Sequence, residues 1–168
     1  FGGGTVYRYR DPGRIERVAV EHLRAISEFD ETIPDKRHEG EYADEDHAWT
    51  LIEVNHARDG WVQNVTSIHF GYSCVYLQRG AHRFTVQDSE CLNPVSLITG
   101  SRRYSFAIEG QMNLVLRCRT RGGRHDYVMH DRAHGPNAFV DCVAEKAFAD
   151  TGPHHRWSVG TLFDNVKV

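Results

Sequence analysis

One four-residue pattern recurs along the chain: an apolar residue, a variable one, a polar one, then a small apolar residue, Cys or Ser. It occurs at Val20-Glu21-His22-Leu23, Val62-Gln63-Asn64-Val65, Val86-Gln87-Asp88-Ser89, Val115-Leu116-Arg117-Cys118, Phe139-Val140-Asp141-Cys142 and Phe163-Asp164-Asn165-Val166. The first positions stand 42, 24, 29, 24 and 24 residues apart. Three steps agree, one carries five extra residues and one carries eighteen. The eighteen fall in Asp30 to Asp46 (DETIPDKRHEGEYADED), a polar, acidic and aperiodic stretch that predicts an inserted loop. The five fit Asn93 to Arg103, where Asn-Pro and Thr-Gly-Ser mark a longer excursion.

A second family of apolar segments lies between the members of the first: Trp49 to Ile52, Cys74 to Leu77, Phe106 to Ile108, Tyr127 to Met129 and Trp157 to Val159. Val, Ile, Phe, Tyr and Trp dominate both families, as a pleated, half-buried surface prefers. Turn signals punctuate them at Asp59-Gly60, Arg79-Gly80, Gly122-Gly123, Gly135-Pro136 and Thr151-Gly152-Pro153. Residues 14–28 (RIERVAVEHLRAISE) also suit an amphipathic helix, but the repeat at Val20 predicts a strand there. The expectation is an all-β chain. A period near 24 suits coils of a parallel β-helix, and the Leu-x-x-Leu-x-Leu pattern of a leucine-rich repeat is absent.

Composition narrows the function classes. At 168 residues, with 40% apolar and 26% charged content, the chain suits one domain with a substantial core, here taken as residues 1–168 with 30–46 inserted. A net charge of −3 gives no whole-protein case for nucleic acid as a partner. No run of about 18 apolar residues predicts a membrane span, and no charged-then-apolar leader precedes the first strand. The chain begins at Phe1, which is expected of a processed product or a piece of something longer. The four Cys show no C-x-x-C spacing, so a finger-type zinc site is not expected, and the 11 His direct attention to proton chemistry.

Three segments combine turns with basic groups. Ser101 to Phe106, Gly122 to Val128 and Pro153 to Val159 each run from a turn through Arg or His to an aromatic and then to small and apolar residues. Stacked in successive coils they would form one basic column spanning about 10 Å, the reach of two sugar units. Arg102, Arg103, Arg124 and Arg156 supply bidentate donors for carboxylate or sulfate. His125, His154 and His155 are of the residue type whose charge can change near neutral pH, Tyr104, Tyr127 and Trp157 offer stacking faces, and Asp126 orients its neighbours or opens its strand. The competing reading of the column is a solvated face.

Other clusters read as structural. Asn64, Asp88, Asp141 and Asn165 share one repeat position and form a ladder, which leaves no room for a glycan at the Asn64 sequon. Cys118 and Cys142 share the next position and are expected as an unlinked buried stack. Asp44, Glu45, Asp46 and His47 could take Ca²⁺ through oxygen ligands, but their spacing fits no calcium loop and favours an exposed acidic loop. No other metal or cofactor is expected.

The segments WVQNVTSIHF, RFTVQDSECLNP, NLVLRCRTRGGRHDYV, NAFVDCVAEKAFADTGPHHRW and TLFDNV resemble the right-handed parallel β-helix superfamily typified by pectate lyases, over roughly residues 14–168. The resemblance implies a right-handed β-helix of about five to six coils. It also implies an acidic polysaccharide as partner and an extracellular or periplasmic location. The superfamily includes lyases, hydrolases, epimerases and non-catalytic fibres; the paired-Asp pattern of its pectin hydrolases is not evident here. Eliminating a uronate glycoside needs a cation on the carboxylate, a base for the α-proton and an acid for the leaving oxygen. The expected roles are Arg124 as the cation, His125 or His155 as the base, and Tyr104 or the other His as the acid. Arg102, Arg103, His154, Arg156, Trp157 and Asp126 would hold flanking units. Two other classes stay open: a structural solenoid or fibre assembling end to end or capped by residues outside the chain, and a sugar-binding module without catalysis.

Overall fold

The computed structural model describes residues 3–8 and 10–168. Among them are fourteen β-strands and no helix, so none is long and apolar enough to cross a membrane. Strands β1 (Ile15–Glu16) and β2 (Ala19–Ile26) open the fold, and residues 14–28 are thus extended. Tertiary pairing decides this: Val20 lies opposite Val62, and the ladder overrides a helical charge pattern. Next come β3 (Thr50–Val54), β4 (Ala57–Ile68), β5 (Ser73–Leu77), β6 (His82–Gln87) and β7 (Glu90–Leu92). Then follow β8 (Phe106–Ile108), β9 (Leu114–Leu116), β10 (Arg119–Arg121) and β11 (Tyr127–Met129). The last three are β12 (Asn137–Val140), β13 (Val143–Glu145) and β14 (Thr161–Asp164).

The strands form two parallel sheets. The larger runs β13-β10-β7-β4-β6-β9-β12-β14, with β1 and β2 also on β4; the smaller runs β11-β8-β5-β3. Strand β4 bends the larger sheet into two arms, pairing with β6 through Arg58–Gln63 and with β7 through Thr66–Ile68. Each step of the sequence repeat is a cross-strand pair: Val20 with Val62, Val62 with Val86, Val86 with Val115, Val115 with Phe139, and Phe139 with Phe163. The chain therefore visits the smaller sheet, one arm and the other arm in turn, and advances by one strand position per visit.

The bend has a backbone cause. His22, Asn64, Asp88, Arg117, Asp141 and Asn165 all adopt φ between 49° and 53°. Left-handed φ turns the strand through the corner, and Asn and Asp tolerate it best among residues with a Cβ. Their side chains then bond along the stack. Asn165 Nδ2 donates to Asp141 Oδ1 at 2.6 Å, and Arg117 grips Asp88 at 2.7 and 2.8 Å.

Between the sheets lies one apolar core. The inward stack Val62, Val86, Val115, Phe139 meets Leu77, Phe106, Ile108, Tyr127 and Met129 from the smaller sheet. Each such side chain stabilises by about 1.5–3 kcal/mol on burial. Phe106 stacks on Tyr127 at 5.8 Å and Phe139 on Phe163 at 5.0 Å. Cys118 and Cys142 are buried and unlinked, as are Cys74 and Cys91.

Two expectations change. The strand expected at Trp157 to Val159 is not formed, because Gly152 instead bridges to Val128 at a 24-residue step. Pro153, which has no N–H to donate, follows at once and ends the ladder. The acidic stretch 30–46 leaves after β2 and is held against the body rather than simply exposed. Pro34 bridges to Tyr42, and Asp35 and Asp44 are buried. Its acids serve its own turns: Asp44 accepts from the backbone N–H groups of Asp30 and Asp46, and these bonds lower its pKa. Glu45 faces Arg102, and both His47 nitrogens are engaged, by Ser27 Oγ and the Val95 carbonyl. Of the groups weighed for Ca²⁺, Asp44, Glu45 and His47 have partners within the protein, and Asp46 is exposed.

Candidate functional site: a histidine and tyrosine cluster

The outward face of the smaller sheet carries Glu53, Tyr76, Ala107 and Val128 in register. Ala107 and Val128 are small, which leaves room for rings from the flanking loops. Tyr72 and Tyr104 pack there with Tyr76 at the edge. Beyond the strand ends, Glu109 follows β8 and His130 follows β11 at equivalent positions, because Ile108 pairs with Met129.

Tyr72, His130 and Glu109 form a line. The Tyr72 hydroxyl lies 2.7 Å from His130 Nε2, and His130 Nδ1 lies 3.8 Å from Glu109 Oε1. Burial, opposed by Glu109, brings the His130 pKa down to about 4, so the ring is neutral at physiological pH. A neutral ring accepts a hydrogen bond from the Tyr72 hydroxyl at Nε2 and turns its Nδ1–H towards Glu109. Burial also raises the Tyr72 and Tyr76 phenols well above their ordinary value, so both stay protonated. His155 stacks on His130 at 5.1 Å and covers the line from outside.

A second group adjoins it. His125 is 1% exposed, its Nδ1 is 2.7 Å from the Asp150 carbonyl, and its ring lies 3.8 Å from that of His154. Burial lowers the pKa of both His125 and His155. Tyr104 sits among all four histidines, with ring separations of 5.2 to 6.1 Å. Arg124 is half-buried beside them, and its charge contributes to lowering the pKa of His125 and His155.

The expected basic column is only partly assembled. Arg124, His125, His154 and His155 are brought together, but with a different register in the third rung. The Val128–Gly152 bridge places His155 against His130 rather than His125. Arg156 and Trp157 lie in an exposed turn, Trp157 with 77% of its surface free.

Arg103 is a correction. It is fully buried, donating to Glu41 at 2.7 Å, to the Tyr42 carbonyl at 3.1 Å and to the Ser96 carbonyl at 3.1 Å, with its guanidinium over Phe148. It anchors the 30–46 loop and cannot reach a flanking sugar. Arg102 is neutralised by Glu45 of the same loop. Asp126 is also internal: its Oδ1 accepts from Ser105 Oγ at 2.6 Å, and burial raises its pKa. Tyr104 and Tyr127 are buried, so neither offers a face to a ligand; the Tyr127 hydroxyl donates to the Cys118 and Val143 carbonyls.

Tyr72, Tyr76, Glu109, His130 and Asp150 were not among the expected site residues. A signal for two of them existed. Ile108-Glu109 and Met129-His130 end the aligned members of the second strand family with a polar residue. No protein-family model, curated protein or solved structure matches the chain.

Proposed function

We propose that the chain is a right-handed parallel β-helix that binds an acidic, uronate-containing polysaccharide on the outer face of its smaller sheet and cleaves it by β-elimination. The observation that carries this reading is the Tyr72–His130–Glu109 line covered by His155, whose pKa Arg124 helps to lower. Parallel strands about 4.8 Å apart give a surface whose repeat suits a linear polymer.

In this reading Arg124 pairs with the uronate carboxylate and stabilises the charge that develops as the α-proton leaves. Neutral His155, half-buried over His130, takes that proton. The C–H electrons form the new C=C bond, and the bond to the glycosidic oxygen breaks. Tyr72, oriented by the neutral His130 ring, protonates the departing oxygen, and the proton taken by His155 leaves to solvent, from which Tyr72 is reprotonated between turnovers. His125 and Tyr104 position the His155 segment rather than touch the sugar. Trp157 stacks on a neighbouring ring and Arg156 holds its carboxylate. An extracellular or periplasmic setting accords with such a substrate.

The test is a panel of uronic-acid polymers, followed by absorbance of unsaturated ends. Tyr72→Phe and Arg124→Ala should each lower turnover by about 10²-fold or more. Unchanged turnover in both would sink these roles, and binding without product would make the chain a sugar-binding module. A second reading, a structural solenoid assembling end to end, is favoured by one feature: an apolar depression lined by Ile15, Val18, Ile52, Val54 and Phe84. A monomer at all concentrations in sedimentation would dismiss it.

A further inference from the structure

We propose that His125, Asp150 and His154 form a binding site for a divalent transition-metal ion, Zn²⁺ matching the ligand set best. One ligand atom from each residue lies within 4.8 Å of the other two. An Asp150 carboxylate oxygen stands 3.7 Å from His154 Nδ1, and the same carboxylate lies beside the His125 ring. Ligand atoms around tetrahedral Zn²⁺ are separated by roughly 3.4 Å, given bonds near 2.05 Å. The cluster is therefore up to about 1.4 Å wider than a loaded site. Its outer members supply the contraction: Asp150 and His154 lie outside the strands on an accessible segment.

The inner member is already fixed. The Asp150 carbonyl accepts from His125 Nδ1–H and so sets the ring's tautomer and orientation, as the outer partner of a metal-bound imidazole does. That leaves His125 Nε2 with its lone pair, shielded from solvent and without any hydrogen-bond partner. A buried polar atom left unpaired costs about 1–3 kcal/mol, and a cation would satisfy it. Two imidazoles and one carboxylate are borderline ligands that suit Zn²⁺, Co²⁺ or Ni²⁺ rather than Ca²⁺ or Mg²⁺, which take oxygen. No thiolate contributes, since all four Cys are buried and His125, Asp150 and His154 lie in the cluster outside the smaller sheet. Three protein ligands leave one position open to water or an anionic group.

The ion would tie residues 150–154 to the approach of β11 and hold the adjoining His155 over His130. The site does not depend on the polysaccharide reading, because its readout is binding and local order. Titration with Co²⁺ should give one equivalent bound with the visible bands of a tetrahedral N/O site, displaced by Zn²⁺. Trypsin cleavage after exposed Arg156 should slow by at least about tenfold when Zn²⁺ is present. His154→Ala and Asp150→Asn, both accessible and tolerant positions, should each weaken binding by more than the roughly 10–100-fold typical of lost outer-shell partners. His134→Ala, an exposed histidine elsewhere, should change nothing. Absence of stoichiometric binding overturns the proposal. So does binding that survives in both ligand variants, which would assign the ion to other surface histidines.

Discussion

Arg102 and Arg103 are neighbours in sequence and alike in chemistry, yet the structure makes their removal unequal. Arg103 is fully buried and its guanidinium holds Glu41 and the carbonyls of Tyr42 and Ser96. Truncation to alanine leaves those acceptors without donors and frees the 30–46 loop. Glu41 is 31% exposed and rehydrates, so the cost lies in the two carbonyls left without donors, about 1–3 kcal/mol each. For a chain of this length that is a fall in Tm of roughly 4–24 °C. Arg102 and Glu45 pair in reach of solvent, with side chains 29% and 31% exposed. Such pairs contribute about 0–1 kcal/mol, so Arg102→Ala should lower Tm by under about 4 °C. Thermal and urea unfolding of both variants measures the difference. Trypsin cleavage at Lys36 and Arg37 should accelerate only in Arg103→Ala. Equal losses in the two variants, or a loss below about 1 kcal/mol for Arg103→Ala, would refute the anchoring argument.

Three further outcomes are expected. His130 has a folded pKa of about 4 against an ordinary value near 6.5, so the unfolded chain binds more protons between those limits. Stability is then full above pH 6.5 and falls by about 3 kcal/mol as pH drops to 4. Urea titrations across that range, with chelator present, should show His130→Gln losing much of this slope, while Glu109, Asp131, His155, Tyr72 and Tyr76 still face the position. Gly123→Ala should destabilise by about 1–3 kcal/mol, because a Cβ there would collide with Asp126 Oδ1 and stand 2.6 Å from Ser105 Oγ; an unchanged urea midpoint would contradict it. Thiol titration should find four reactive Cys in denaturant and essentially none in the native protein, since all are free and buried.

The sequence by itself determined the strand pairing. Parallel ladders demand strict register, so an apolar position recurring at 24 residues, or at 24 plus a loop, had to mark strands that lie side by side. It marked a polar ladder at Asn64, Asp88, Asp141 and Asn165, and only the backbone showed that these positions, with His22 and Arg117, are left-handed corners. The tertiary structure alone decided the candidate site. Tyr72 and His130 are 58 residues apart and meet because loops of different length converge outside the smaller sheet. Loops carry no register, so no period in the sequence predicts where His154 and His155 come to rest, and aligning them by composition placed them in the wrong register within their rung. The same holds for Arg103. Its sequence neighbourhood reads as a basic surface turn, and only the acidic insertion folding over it makes it a buried anchor. Hydrogen-bonded repetition is written in the spacing of residues; convergence of irregular segments is written in the space they share.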